Sequence, residues 1–483
     1  MLKKAGIAAI VLGLVIVGCY LLGIRPMGTS LPPQFQQPPD QHYAALAKHR
    51  EAQRSNPSGE TAAAPAPATL APASADAPVV GANRAPDPAP PYWTGFRGAS
   101  RDGHYQERPI LTSWPSAPLD SARGGLSPLW KQPVGGGHAS FAIANGRAFT
   151  VEQRGDEEVA TAYDLRSGRE LWAHGWRGAF RESMGGDGPR ATPTWHDGLV
   201  YALGAEGELR ALRENDGRQL WQTNILTDAG ASNLEWGMAA SPLVVDDLVI
   251  VAPGGRSGRS VLAYDRGSGR QVWGALDDKA SYAAPQLATI HGFRQVLIFT
   301  SSRLASLRPE DGTLLWDFEW RGGGGAGINV AQPIVLGDRV FISTGYGVGS
   351  AMLQVNRSAD TWSAQELWRS SRMKNQFTSS VHHEGFLYGL DEGILACLDA
   401  STGERCWKAG RYGDGQVLLA GGHLIVSTDA GDLVLVPATP AGHQELARSP
   451  ALTSRTWNHP AIADGILLVR NSNEMAAFDL NRR

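Results

Sequence analysis

Cysteine is the scarcest residue type in this 483-residue chain, with three copies. None of them lies in a C-x-x-C or Cys/His pattern, which argues against a zinc site. Cys397 and Cys406 flank one predicted turn, and in an oxidising compartment both a disulfide and a pair of free thiols fit this spacing. An excess of positive charge is also missing. The formal net charge is −3 and no basic stripe appears, which argues against a nucleic-acid interface.

Motifs for the commonest hydrolytic and phosphate-binding sites are absent as well. The chain has no Gly-x-Ser-x-Gly nucleophile motif. The glycine-rich run at residues 322–327 is followed by neither a helix pattern nor a Lys-Ser/Thr pair, so we interpret it as a flexible loop. The adjacent His382 and His383 stand at a predicted strand end, and no further ligand pattern surrounds them.

Long apolar runs are limited to one, at the N-terminus. After a basic start, residues 5–24 carry no charge over a length that spans a bilayer as a helix. The preceding lysines place the start in the cytosol and the rest of the chain outside. We favour a signal anchor over residues 1–24. A lipoprotein signal acylated at Cys19 and a simple cleaved signal remain alternatives, and all three export the remainder.

The next segment, residues 25–91, is rich in proline and alanine and poor in residues that build a core. This composition predicts a disordered linker, in which Tyr43–Arg54 has the pattern of a short helix without an evident partner. The folded body is expected over residues 92–483. It opens with WTGFRGASRDG, which has no strand alternation, and we expect this stretch to cover an edge or one end of the fold.

What fills the folded body is a repeated strand-and-turn pattern. Phe386–Trp407 reads as three short strands separated by two turns that contain Asp and Gly. Copies of the last turn and strand end at Trp172, Trp221, Trp273 and Trp316, and a looser copy ends at Trp368. The tryptophans are about 40–52 residues apart, the length of a four-stranded propeller blade. We therefore predict an all-β propeller.

The count of repeats predicts eight blades. A seventh copy at Gln416–Ala447 lacks the terminal Trp, and His459–Leu480 supplies inner strands before the chain stops. Leu126–Gln132 looks like an outer strand without a blade of its own. Joining it to the last inner strands closes the ring and removes the open sheet edges.

The pattern A-x-D-x-x-[ST]-G-x-x-x-W resembles the repeat of the pyrroloquinoline-quinone (PQQ) type propellers. Segments such as NQFTSSVHHEGFLYGLDEGILACLD and TWNHPAIADGILLVRN further resemble stand-alone, BamB-like propellers exported from the cytosol. The resemblance covers about Trp93 to Arg483. It implies the propeller fold and two classes of function, because this superfamily includes both quinoprotein alcohol dehydrogenases and non-catalytic scaffolds such as BamB.

In a propeller the loops that enter the innermost strands gather at one mouth of the channel, and in quinoproteins the cofactor occupies this region. An Arg/Lys and Asn set there could hold a tricarboxylate quinone, and Glu235 with an Asn could hold calcium. Alternatively, these residues only solvate the rim or contact a partner. The candidate residues are Arg190, Glu235, Trp236, Lys279, Asn329, Lys374 and Asn458.

Three departures from the quinoprotein pattern favour a binding module over an enzyme. The chain has no adjacent cysteines, no long insertions between blades and no C-x-x-C-H haem motif. We expect a monomeric scaffold of the bacterial envelope, outside the cytosol, with envelope proteins as partners and no cofactor. The alternatives are a PQQ- and calcium-dependent alcohol or sugar dehydrogenase, and a carbohydrate binder that uses Trp236 and Trp457.

Overall fold

The computed structural model describes residues 39–55, 92–115, 125–325 and 327–481. These residues form eight sheets, seven of four strands and one with a fifth. The first strands of successive blades contact each other, so they surround a central channel and each blade runs outward to its fourth strand. The prediction of an all-β, eight-bladed propeller with four-stranded blades is confirmed.

Each blade is an antiparallel meander whose second and third strands are almost fully buried, whereas its fourth strand alternates between buried and exposed residues. This alternation fits an outer strand with one solvated face. Blades 1 and 2 comprise β3 Ala142–Ala144, β4 Arg147–Arg154, β5 Glu157–Asp164, β6 Glu170–Arg177, β7 Thr194–His196, β8 Leu199–Leu203, β9 Glu208–Arg213 and β10 Gln219–Asn224. Blades 3 and 4 comprise β11 Leu243–Val245, β12 Leu248–Val251, β13 Val261–Asp265, β14 Gln271–Ala275, β15 Gln286–Ile290, β16 Phe293–Phe299, β17 Arg303–Leu307 and β18 Leu314–Glu319.

The remaining blades follow the same plan. Blades 5 and 6 comprise β19 Ile334–Leu336, β20 Arg339–Thr344, β21 Gly349–Ser358, β22 Thr361–Ser370, β23 Val381–His383, β24 Phe386–Asp391, β25 Ile394–Asp399 and β26 Arg405–Arg411. Blades 7 and 8 comprise β27 Gln416–Ala420, β28 His423–Ser427, β29 Asp432–Pro437, β30 Ala447–Pro450, β31 Ala461–Ala463, β32 Ile466–Arg470 and β33 Glu474–Asp479, with β1 His104–Tyr105 and β2 Trp130–Pro133 from the N-terminal side. A short helix, α2 Ile225–Ala229, follows β10.

The repeated Trp joins one blade to the next. The indole N–H of Trp172 in blade 1 donates to the carbonyl of Glu214 in blade 2 at 2.7 Å, and the ring lies against Gly217. The accepting residue always precedes the turn glycine by three positions. The same hydrogen bond links Trp130 to Leu165, Trp221 to Arg266, Trp273 to Pro309, Trp368 to Ala400 and Trp407 to Thr439.

Two joints of the ring depart from this rule, and each departure follows from a missing turn. Blade 5 replaces the Asp/Gly turn by the long hairpin of β21 and β22, and Trp316 in blade 4 donates to Gln295 of its own blade instead. Blade 8 has no turn between its third and fourth strands, because these come from opposite ends of the chain. Blade 7, which precedes it, is the blade whose sequence lacks the Trp.

The ring closes as predicted, by an N-terminal strand. β2 pairs antiparallel with β33, with Trp130 opposite Ala477 and Pro133 opposite Glu474. The indole of Trp130 then joins blade 8 to blade 1, as the other tryptophans join theirs. The closing strand therefore completes the eighth sheet and also makes the last joint between blades.

The stretch WTGFRGASRDG closes one end of the channel, which confirms the expectation for this segment. Trp93 pairs with Ile143 in β3, and β1 adds a parallel strand to β27. Both contacts lie toward the hairpin ends of the first strands. From this plug, the fully buried Arg101 donates to the carbonyls of Ser241, Pro242 and Pro285. The equally buried Arg97 donates to carbonyls of blade 6.

Part of the predicted N-terminal organisation lies outside the described residues, namely 1–38 with Cys19 and 56–91. Residues 39–55, within the predicted linker, form a helix, α1 Pro39–Ser55, that packs on the propeller. No helix among the described residues has the length and apolar character needed to cross a bilayer. Cys397 and Cys406 are both free, on the neighbouring strands β25 and β26.

Candidate functional site

The end of the channel opposite the plug is lined by aromatic side chains. Segments that enter the first strands lie there, together with the turns between second and third strands, because successive strands alternate in direction. These segments and turns carry six half-buried rings, which we call the mouth face. It consists of His138, Trp236, Tyr282, Tyr346, Phe377 and Trp457.

Neighbouring rings of the mouth face contact each other at distances typical of aromatic pairs. The centroids of Phe377 and Trp457 are 5.1 Å apart, and those of Trp457 and His138 are 5.8 Å apart. Trp236 and Tyr282 are 5.7 Å apart, and Tyr346 lies 6.4 Å from Phe377. These contacts fix the rings in orientation while leaving part of each exposed.

A loop of residues 180–188 lies over one side of the mouth face and is held by two arginines. Arg190 donates to two of its carbonyl oxygens, and Arg455 donates to two others at 3.0 and 3.1 Å. Within the loop, the carboxylate of Glu182 accepts from two backbone N–H groups. The loop presents Met184, which is 66% exposed. An apolar side chain is thus displayed on a well-bonded backbone.

Two of the predicted site residues make hydrogen bonds inside the protein. The side chain of Asn329 is fully buried, with Nδ2 donating to the Thr300 carbonyl at 2.7 Å and Oδ1 accepting from the Thr344 hydroxyl at 2.6 Å. The Nδ2 of Asn458 donates to two carbonyl oxygens of the segment before β3. Both amides therefore hold the inner ring together.

The other predicted residues differ in exposure and partners. Lys374 forms an ion pair with Glu392 beside the mouth. Glu235 and Lys279 are exposed. Arg190 stacks on Phe180 at 4.5 Å in addition to its loop contacts. Of the residues named from the sequence, Trp236 and Trp457 belong to the mouth face itself.

Most of the side chains predicted to hold a quinone are already bonded within the protein. Of the groups expected to hold the quinone, Arg190, Lys374 and the two asparagines bond to protein atoms, whereas Lys279 is exposed. Among the described residues, no group of three or more His, Cys, Asp or Glu side chains could hold a metal ion.

Sequence reasoning missed an acidic residue of the mouth, Asp414. It lies just before β27, so the rule that selected the other residues would have found it. Burial and the neighbouring Asp429 raise the pKa of Asp414 to about 6, while Arg455 opposes this shift. Loss of hydration and a second negative charge both disfavour an ionised carboxylate. The mouth thus includes a carboxyl group that titrates close to neutral pH.

The sequence profile described as outer membrane protein assembly factor BamB matches residues 119–239 and 155–409, more than half of the chain. The chain belongs to the BamB family. The expected resemblance to PQQ-like propellers is thereby confirmed. BamB from Yersinia pestis is 23% identical over 313 residues, which cover 61% of this chain and 75% of the relative. BamB from Marinobacter adhaerens is 26% identical over 151 residues, which cover 31% of this chain and 33% of the relative.

Solved structures share the fold. The crystal structure of BamB from Moraxella catarrhalis superposes with a TM-score of 0.53 at 17% identity, covering 74% of this chain and 98% of that one. A quinohemoprotein alcohol dehydrogenase from Comamonas testosteroni also superposes with a TM-score of 0.53, at 13% identity and with 81% of each chain covered. At these identities the likeness concerns the fold alone, so it does not separate the two classes of function.

Proposed function

We propose that this BamB-family chain is a binding module of the bacterial cell envelope that holds a partner protein on its mouth face. Family membership supports the envelope setting, since the relatives are named as outer membrane protein assembly factors. The proposal includes a monomeric propeller outside the cytosol, carried on a membrane by residues 1–24. The proposed function includes no chemical reaction.

The observation that carries the proposal is the mouth face itself. Six half-buried rings are held rigidly by their mutual contacts, and an exposed methionine stands on the loop beside them. Tyr, Trp, Phe and Met are the residues enriched in protein interfaces, and Tyr and Trp are enriched at binding hot spots. The plug closes the channel from behind with two buried arginines, so the mouth is a shallow surface and not a passage.

Site-specific crosslinking tests where a partner binds. In the full chain expressed in its own envelope, a photoreactive phenylalanine analogue replaces Met184, and a matched variant carries it at the exposed Asn145 on the opposite end of blade 1. We expect one discrete adduct from position 184 and none from 145. Trp236→Ala combined with Phe377→Ala should remove the adduct. Equal crosslinking from both positions, or none from 184, contradicts the proposal.

Calorimetric titration with PQQ and calcium tests the enzymatic alternative. The full chain in detergent is compared with the variants Glu235→Ala and Lys279→Ala. We expect no binding heat and no shift in the melting temperature for any of them. Tight binding to the unaltered chain that both variants lose would overturn the scaffold proposal and would justify assays of alcohols and sugars with a dye acceptor.

A further inference from the structure

Helix α1 lies outside the ring and packs one face against the joint between blades 8 and 1. The buried and half-buried positions of α1 recur every three or four residues, the spacing of one helix face. They are His42, Tyr43, Leu46, His49, Arg50 and Gln53. The opposite face carries four exposed alanines and Lys48. The helix is therefore built to be covered on one side only.

Arg50 is the deepest contact of this helix, with only 2% of its surface exposed. Its guanidinium donates to the carbonyl of Pro133 at 3.0 Å and to the hydroxyl of Tyr163 at 3.1 Å. Its Nε lies 3.4 Å from the carboxylate of Glu170 in β6. It also lies over the ring of Tyr163, 4.8 Å from the centroid. One side chain of α1 thus binds strands of both blades at the joint.

Several other polar contacts of α1 reach the closing strand β2 and Val134, the residue that follows it. Gln132 Oε1 accepts from Gln53 at 2.8 Å and lies 3.0 Å from the ring nitrogen of His49. His42 Nε2 donates to the carbonyl of Val134 at 2.8 Å. Because β2 is four residues long and has β33 as its partner in the sheet, these contacts add a second support to it.

We propose that α1 is a releasable latch, which secures the closing strand and decides where the N-terminal segment leaves the propeller. When α1 is docked, the chain departs at Pro39, beside the joint of blades 8 and 1. When α1 is released, it departs at Tyr92, beside the plug.

The contacts suit reversible docking. Among the side chains of α1 that the structure describes, Leu46 is the only fully buried aliphatic one, and most of the other contacts of the helix with the propeller are polar. An isolated helix of this length is marginally stable in water, so α1 loses most of its structure when it leaves the joint. Docking and helix formation are therefore one event, which a change at one buried residue can reverse.

The latch also changes the reach of the chain, a consequence that rests on the proposed membrane tether. With α1 docked, residues 25–38 separate the proposed anchor from the propeller, and they span at most about 50 Å. With α1 released, residues 25–91 separate them and span at most about 240 Å. Docking of α1 thus shortens the maximum distance between the proposed anchor and the propeller more than fourfold.

Hydrogen exchange of the full chain tests the latch. Backbone amides of residues 43–53 should exchange at least tenfold more slowly in the unaltered chain than in Arg50→Ala, and Leu46→Ala should show the same loss. Lys48→Ala, on the exposed face, is the matched control and should keep full protection. Unchanged protection of β11 to β26 shows that each variant is folded. Fast exchange of residues 43–53 in the unaltered chain, or slow exchange in Arg50→Ala, overturns the latch.

Energy transfer to a bilayer tests the reach separately. The full chain is placed in nanodiscs with an acceptor-labelled lipid, and a donor is attached to the exposed Cys406. Transfer should be stronger for the unaltered chain and Lys48→Ala than for Arg50→Ala. Equal transfer in all three, while exchange shows α1 released, overturns the change in reach. Absence of transfer from all three overturns the membrane tether of the proposed function, and the exchange result then decides the latch by itself.

Discussion

The imidazole of His459 is buried against the guanidinium of Arg97, 3.2 Å from Nε2 to the nearer guanidinium nitrogen. Because an arginine only donates, Nε2 must be the accepting, unprotonated nitrogen, and Nδ1–H donates to the carbonyl of Pro460 at 2.6 Å. Burial first, and the charge of Arg97 second, lower the pKa of His459 to about 3. Burial and the nearby Arg190 lower the pKa of His138 to about 3 as well.

The sign of the resulting pH dependence follows from these two states. An unfolded chain protonates His459 below pH 6.5, whereas the folded chain resists protonation down to about 3. Because of His459, the free energy of unfolding is therefore highest above pH 6.5. It decreases by about 1.4 kcal/mol per pH unit as the pH falls from 6.5 toward 3.

His459→Gln should remove this dependence while keeping both hydrogen bonds, because the amide accepts from Arg97 and donates to Pro460. Between pH 7 and pH 5 we expect the unaltered chain to lose about 2 kcal/mol more unfolding free energy than the variant. Urea unfolding of both proteins at the two pH values measures this difference. The contributions of His138 and of the carboxylates are the same in both proteins and cancel. An equal loss in both proteins would show that His459 is protonated when folded.

At the scale of the element, the joint between two blades consists of an indole, a carbonyl and a glycine. The Trp172 ring lies so close to Gly217 that a Cβ there would be 2.5 Å from its Cε3 atom. Gly217 also has a φ of +68°, which favours glycine. Each copy of the repeated segment therefore contributes to two joints. Its glycine receives the Trp of the previous blade, and its own Trp reaches the next blade.

Gly217→Ala should be costlier than Gly146→Ala, a matched control. Gly146 has almost the same φ, +70°, but an added Cβ would meet nothing within 4 Å. We expect Gly146→Ala to cost about 1–2 kcal/mol from the left-handed conformation alone. Gly217→Ala should cost a further 1–3 kcal/mol, approximately, from the clash with the indole. Chemical denaturation of both variants measures the difference, and equal costs would show that the ring shifts aside freely.

These elements show what the sequence could predict. Trp and Gly recur at fixed spacing, and turns leave a strong local signal, so the blades and their number follow from the pattern. The two irregular joints were visible as well, as the insertion before Trp368 and the missing Trp of the seventh blade. The physical cause of these irregular joints could not be read from the sequence, because it depends on which turn each indole reaches in the neighbouring blade.

The candidate site was less accessible to prediction. The rule that residues before the first strands line the mouth located Trp236 and would have located Asp414. It also selected Asn329 and Asn458, whose amides turn inward to backbone and hydroxyl groups. A sequence does not show whether a polar residue at such a position faces the channel or the adjacent strand. Tyr346 was missed because it enters the mouth from a different turn.

At the scale of the whole molecule, segments from the N-terminal side act at long range. The plug reaches blades on both sides of the channel through Arg97 and Arg101, and their charge is met by carbonyl groups. Burial lowers the pKa of Arg101 to about 9, which still leaves it charged at neutral pH. Neither the plug contacts nor the docking of α1 could be predicted, because both depend on buried arginines, which in a sequence look like surface residues.

Trp130→Ala tests how much the closing strand holds the ring. The change removes the indole contacts with Leu165 and Gly168, so blade 8 should separate from blade 1 before other joints open. We expect amides of β2 and β33 to exchange at least tenfold faster, with β11 to β22 unchanged, and a loss of about 2–3 kcal/mol in unfolding free energy. Leu129→Ala, an exposed neighbour, should change stability by less than about 0.5 kcal/mol. Uniformly faster exchange would mean that the ring opens as a single unit.

The Trp–carbonyl joint has a consequence for how such a chain can be lengthened or shortened. A copied blade brings one donor indole and one receiving turn, so an inserted copy matches its neighbours on both sides without any compensating change. Insertion or loss of a whole blade therefore keeps every joint complete for blades 1, 2, 3 and 6. The joints after blades 4 and 7 use other contacts, and a duplication there would leave an indole without its turn or a turn without its indole.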